Sequence, residues 1–146
     1  MDARIVVGVD GSDESLAALR WALREAALRG TSLLVLHAWA YPTAVGFPTM
    51  RLVDLGVMKE SSEALLADAI RDATAGSPST VFIDPVVTEG SAARSLVDAS
   101  EGADLLVVGA RGHGGFLGLV LGSVATQVVH HATCPVVVVP SAYTAD

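Results

Sequence analysis

The sequence predicts an α/β fold in which a doubly wound parallel sheet carries helices on both faces, and three observations predict it. Short runs made almost wholly of Val, Leu and Ile recur at 4–10, 32–38, 104–109 and 135–140. Continuous apolar runs of that length fit strands of a parallel sheet that is covered on both sides. Between the runs lie segments with apolar residues at helical spacing, so the order is βαβαβαβαβ. Right-handed crossovers turn that order into one doubly wound sheet. Finally, 146 residues with 51% apolar and 5% aromatic content suffice for one domain, 1–146, with an aliphatic core.

Each element has its own signals. Arg4-Ile-Val-Val-Gly-Val-Asp10 reads as strand 1 and ends in the turn residues Asp10-Gly-Ser-Asp. Ser12 is the expected N-cap of helix 1, and Asp13 and Glu14 suit its positive first turn. Leu16, Leu19, Leu23 and Ala26 or Ala27 form the apolar stripe, and Gly30 stops the helix. Ser32 to Ala38 is strand 2. Tyr41 to Met50, with two prolines and a glycine, is a loop. Leu52 to Ala75 carries a long helical pattern, closed by Gly76-Ser-Pro78. Thr80 to Val87 is strand 3, and Pro85 assigns it to a sheet edge because proline cannot donate to a ladder. Gly90-Ser91 opens helix 3, with Leu96, Val97 and Ala99 expected inside and Gly102 at its end. Asp104 to Gly109 is strand 4, Val124 to Ala132 is helix 4, and Pro135 to Pro140 is strand 5.

Composition excludes several classes of function. The net charge is −7 and Lys59 is the only lysine, so the surface repels nucleic acid. The single cysteine, Cys134, leaves no intrachain disulfide and suits a reducing compartment. Asp2 followed at once by a strand shows no signal-peptide pattern, so a cytoplasmic location is expected. The stretch from Gly112 to Ala145 lacks Asp, Glu, Lys and Arg, but glycines, Ser123, Gln127, His130, His131 and Pro135 break it, and no membrane span is expected.

Chemistry concentrates in Gly109 to Ser123, GARGHGGFLGLVLGS, with six glycines and Arg111 as its one charged residue. A glycine-rich loop between a strand and a helix N-terminus is an anion site, because the backbone can approach the ligand and the helix offers unpaired N–H groups. Ser123 stands at the expected N-cap of helix 4. No lysine follows a glycine as in a Walker loop, and Gly8-x-Asp10-Gly11 is not the dinucleotide fingerprint. The ligand's charge must therefore be met by backbone N–H groups, the helix end and Arg111. A divalent cation such as Mg2+ would help, with Asp10 the nearest ligand. If strands 1 and 4 are neighbours, Asp10 and the glycine loop share one crevice.

The spacing Gly109-x2-Gly112-x9-Gly122-Ser123 resembles the nucleotide-binding pattern of universal stress proteins of the ATP-binding subgroup. The opening Val-Gly-Val-Asp-Gly-Ser, the His37-Ala38 end of strand 2 and the closing Cys-Pro-Val-Val-Val-Val resemble that family too. The resemblance implies strand order 3-2-1-4-5, ATP as cofactor, and a homodimer through strand 5. Carried over by position, it places Gly8 and Val9 on the adenosine pocket and Asp10 near the ribose or a phosphate-bound metal. Ala38 would hold the adenine edge, and Gly109 the ribose. Gly112, Gly122, Ser123 and Val124 would bind phosphates. Arg111 and His113 lie in the variable part of the motif and complete the candidate set.

Plainer readings stand beside these. Asp10 is equally a turn-forming residue, and Arg111 and His113 equally solvated ones. His130 and His131 suit a helix C-terminus and point to different faces, which argues against a metal pair. His37 reads as a wall of the core or crevice, and Cys134 as a buried apolar filler. The apolar Phe116 to Leu121 segment is either a partner surface or packed on the domain itself. Four consecutive valines at an edge call for cover, and the same strand of a second copy provides it symmetrically. The expected function is a regulatory module that binds ATP in a stress response, with no catalytic residues and at most slow hydrolysis. Two alternatives remain: a family member that prefers cyclic AMP or has lost ATP and serves in protein interaction, and an ATP-using adenylating enzyme.

Overall fold

The structure is a computed structural model that describes residues 3–40, 55–76, 79–111 and 121–143. The elements follow the expected alternation: β1 (Arg4–Gly8), α1 (Asp13–Arg29), β2 (Ser32–Trp39), α2 (Leu55–Thr74), β3 (Ile83–Glu89), α3 (Ala92–Ser100), β4 (Leu105–Gly109), α4 (Ser123–His131) and β5 (Val136–Val139). All four strand pairings are parallel, in the order β3-β2-β1-β4-β5.

Strand periodicity explains the continuous apolar runs. Ile5, Val7, Leu33, Val35, Leu105 and Val107 point to one face and pack with Leu19, Leu23, Ala26 and Leu66 of α1 and α2. Val6, Leu36, Leu106 and Val108 point to the other and pack with Leu96, Ala125 and Val128 of α3 and α4. Both faces of the central strands are therefore buried, which removes the polar alternation of a half-exposed sheet.

The helix ends show how local chemistry sets the boundaries. The Ser12 hydroxyl caps α1 by accepting from Ser15 N, and Gly30 ends it at φ 66° with its N–H on the Ala26 and Ala27 carbonyls. Ser91 caps α3 by accepting from Arg94 N. The far end of α3 is met by Arg4, whose guanidinium donates to the carbonyls of Ala99 (3.3 Å) and Glu101 (3.4 Å). The Ser100 hydroxyl donates to Val97 O at 2.6 Å and accepts from Thr133 N at 3.0 Å, tying α3 to the turn before β5.

Several expectations need correction. Strand 1 stops at Gly8, and strand 3 runs later than expected, from Ile83 to Glu89. There the even residues bond to β2, from Leu33 N to Phe82 O through to Gly90 N to Trp39 O. Pro85 is odd, so its nitrogen faces the free edge and costs the ladder nothing. In α3, Val97 and Ala99 are only half-buried, and Ala93 and Ser100 take the inner positions beside Leu96. Ala27 is exposed and Ala26 buried. The N-cap of α4 is Gly122 rather than Ser123, and the helix begins one residue earlier, at Ser123.

Candidate functional site

β1 and β4 are neighbours, with Val7 opposite Val107, so the turn after β1 and the start of the glycine loop leave the sheet side by side. Strand order reverses between them, and in a doubly wound sheet ligands bind at that point. Asp10 and the first residues of the glycine loop therefore leave the sheet on neighbouring strands, as expected from the sequence. Gly112, His113, most of the apolar Phe116–Leu121 segment and the Tyr41–Met50 loop lie outside the described residues.

The ends of the glycine loop are closed on each other. Ala110 N donates to Val139 O at 2.9 Å, anchoring the exit of β4 to the end of β5, and Gly122 N donates to Ala110 O at 2.6 Å. Gly122 is buried, and its carbonyl accepts from Thr126 N (3.0 Å) and the Thr126 hydroxyl (2.8 Å). Its first-turn position is filled by an exposed Ser123 and a half-buried Val124.

Two helix N-termini flank the crevice, and they differ in electrostatics. α1 is capped by a side chain and carries Asp13 and Glu14 in its first turn, with Asp10 just before it. α4 has no side-chain cap and no acid in its first turn. Carboxylates offset the positive end of α1, whereas no acid stands in the first turn of α4.

Asp10 is half-buried and organises its own turn. Its Oδ1 accepts from Ser12 N at 2.9 Å and from the Ser12 hydroxyl at 2.5 Å. Its own N–H donates to the Ser15 hydroxyl at 3.2 Å, and that hydroxyl donates to Ser12 O at 3.0 Å. The turn-forming reading of Asp10 is thus realised at Oδ1. Ser15 was missed by sequence reasoning, although the Ser-x-x-Ser spacing of 12 and 15 carries the signal.

The glycines expected against the nucleotide also have a packing role. A methyl group on Gly8 would stand 2.8 Å from Leu96 Cδ1, so its absence lets α3 settle on β1. A methyl group on Gly109 would stand 3.1 Å from the Glu14 carbonyl oxygen, so α1 passes directly over the first residue of the loop. Val9 is buried in the α1 and α2 layer, and Ala38 packs half-buried in the α3 and α4 layer. Arg111 reaches away, its guanidinium donating to the Ser141 hydroxyl at 3.3 Å.

His37 is a crevice-side core residue: Nδ1 lies 2.8 Å from Val9 O, and because a carbonyl only accepts, Nδ1 carries the proton. His130 likewise donates from Nδ1 to Thr126 O at 2.8 Å on an exposed helix end. Cys134 is half-buried rather than buried, and burial, aided by the Asp104 charge, pushes its thiol above its ordinary pKa. Among the described residues no cluster of three or more His, Cys, Asp or Glu could hold a metal ion, and no helix is long and apolar enough to cross a membrane. A groove of 790 Å³ runs between α2 and β3, floored by Leu66, Ile70, Pro85 and Val87. It lies at the sheet edge, three strands from β4, with Lys59, Glu63 and Arg71 also in its lining.

Comparison with known proteins agrees with this architecture. The sequence model described as the Universal stress protein family matches residues 1–140. A curated universal stress protein of Mycobacterium tuberculosis is 38% identical over 136 residues, covering 93% of this chain and 45% of that protein. The chain thus spans about half the length of the curated relatives it matches. Among solved structures, a universal stress protein from Lactobacillus plantarum superposes with a TM-score of 0.76 at 28% identity, covering 94% of this chain and 97% of that one. A universal stress protein in complex with cAMP superposes at 0.69 with 29% identity, covering 97% and 98%.

Proposed function

This chain belongs to the universal stress protein family, and on that premise we propose that it is a regulatory module that binds an adenine nucleotide, ATP first, in the crevice between β1 and β4. The observation that carries the reading is the contrast between the two helix ends. The phosphates lie at α4, against the N–H groups of Ser123 and Val124 and the backbone of Gly122, where no carboxylate competes. Adenosine lies toward Gly8, Val9, Asp10 and Ala38, with Gly109 at the ribose. Gly112, Arg111 and His113 complete the phosphate side, and Arg111 exchanges Ser141 for phosphate. Mg2+ accompanies ATP, met by the phosphates and by Asp10.

The protein acts by binding, in the cytoplasm and as a homodimer through β5, with no turnover beyond slow hydrolysis. Cyclic AMP is the second reading, supported by the solved relative bound to cAMP. It offers the same adenosine and one phosphate.

The test begins with protein purified without added nucleotide. Its denatured supernatant is separated for adenine absorbance, and the stripped protein is titrated with ATP and cAMP, with and without Mg2+. Adenine nucleotide is expected to copurify or to bind. Gly122→Glu, which sets a carboxylate against the α4 N-terminus, should abolish ATP binding with circular dichroism unchanged. Folded wild-type protein that takes up neither nucleotide would overturn the reading in favour of an interaction module.

A further inference from the structure

Ser12 and Ser15 are both buried, and together with Asp10 they close a ring of hydrogen bonds at the head of α1. The Ser12 hydroxyl donates to Asp10 Oδ1 and accepts from Ser15 N at 3.2 Å. Ser12 O accepts from Leu16 N at 3.0 Å as well as from the Ser15 hydroxyl. Gly11, at φ 85°, makes the bend that lets the chain return on itself. A cap of this kind sets where the first turn of a helix sits and how firmly it is held.

That first turn touches Gly109, the first residue of the glycine loop. The Glu14 backbone and Cβ lie 3.1 to 3.3 Å from where a side chain on Gly109 would begin. Gly109 is followed by Ala110, whose N–H and carbonyl hold the end of β5 and the N-cap of α4. From the cap to the loop, the sequence of contacts is therefore Ser12, the first turn of α1, Gly109, Ala110 and Gly122.

We propose that Ser12 is a positioning residue for the nucleotide crevice: its cap fixes the first turn of α1 against Gly109 and so sets where Gly109, Ala110 and Gly122 stand, without touching the ligand. This inference rests on the nucleotide reading above for its ligand and on the cap geometry for its mechanism. It also gives Asp10 a second duty, as the acceptor that orients the Ser12 hydroxyl.

α3 supplies the internal control. Ser91 caps it in the same way, its hydroxyl accepting from Arg94 N at 3.3 Å, but that cap follows β3, which lies three strands from β4 in the sheet. Ser12→Ala and Ser91→Ala each remove one cap, so both should lower Tm. Only Ser12→Ala should weaken ATP binding, by about three- to tenfold. Ser12→Thr, which keeps the hydroxyl, should restore affinity. Amide exchange at Ala110 and Arg111 should quicken in Ser12→Ala and not in Ser91→Ala. ATP affinity unchanged in Ser12→Ala, or lowered equally in Ser91→Ala, would overturn the inference. If wild-type protein takes up no ATP, the nucleotide reading falls by itself, and the exchange rates decide whether the cap holds the loop.

Discussion

Gly8, proposed above as part of the adenosine pocket, is needed by the fold. Positioned at the end of β1, it leaves room for Leu96, whose Cδ1 lies 2.8 Å from where a Cβ would stand. Leu96 is 3% exposed and belongs to the α3 and α4 core, so it has little room to yield. Gly8→Ala should therefore destabilise the protein by about 1–3 kcal/mol, the usual cost of overfilling a packed core. Urea denaturation measures it, and Leu96→Val in the same chain should recover part of the loss. Non-interacting substitutions would give additive costs instead. At this scale the glycine pattern alone did not separate the two roles. A glycine in sequence shows that a side chain is absent, and only the surroundings show what occupies the space.

The two edge strands are built differently. In β3, the outward positions are odd, and Pro85 interrupts them with a nitrogen that cannot donate. In β5, the odd residues bond to β4, from Leu106 N to Pro135 O through to Ala110 N to Val139 O. Val136 and Val138 thus turn their N–H and C=O groups to the free edge. In the proposed homodimer, antiparallel pairing with a second copy about Val137 would set Val136 against the partner's Val138 and satisfy both. Val138→Pro removes one outward donor and leaves the β4 ladder intact, so it should shift sedimentation from dimer to monomer with circular dichroism preserved. A variant that still sediments as a dimer would place the interface elsewhere. The α4 boundary is the other lesson here. Ser123 has the chemistry of an N-cap, but Gly122 N is already bonded to Ala110 O, and that tertiary bond moves the cap one residue back.

For the whole molecule, a net charge of −7 must be reconciled with the anionic ligand proposed above. The distribution reconciles them: acids gather before and within the first turn of α1, and the first turn of α4 has none. Binding to the native state alone raises stability by mass action, about 2.7 kcal/mol at a hundredfold excess over Kd. For a chain of this size that corresponds to a rise in Tm of about 5–10 °C. A melt with ATP, and with GTP as the comparison, reads it directly. Equal shifts with both nucleotides would show that the phosphates bind without adenine being recognised.

The sequence by itself determined the kinds and order of the elements, because helix and strand periods, caps and turn residues act between near neighbours in the chain. Ser12, Gly30, Ser91 and Pro85 were legible for that reason. The strand order came from family resemblance and not from any periodicity, since parallel strands of equal character pair equally well on paper. Tertiary structure alone decided the rest: which face of each strand meets which helices, why Gly8 and Gly109 lack side chains, where α4 begins, and that Ser15 joins the Asp10 turn. Those features depend on atoms distant in sequence meeting at van der Waals or hydrogen-bond range, and only the packed chain brings them there.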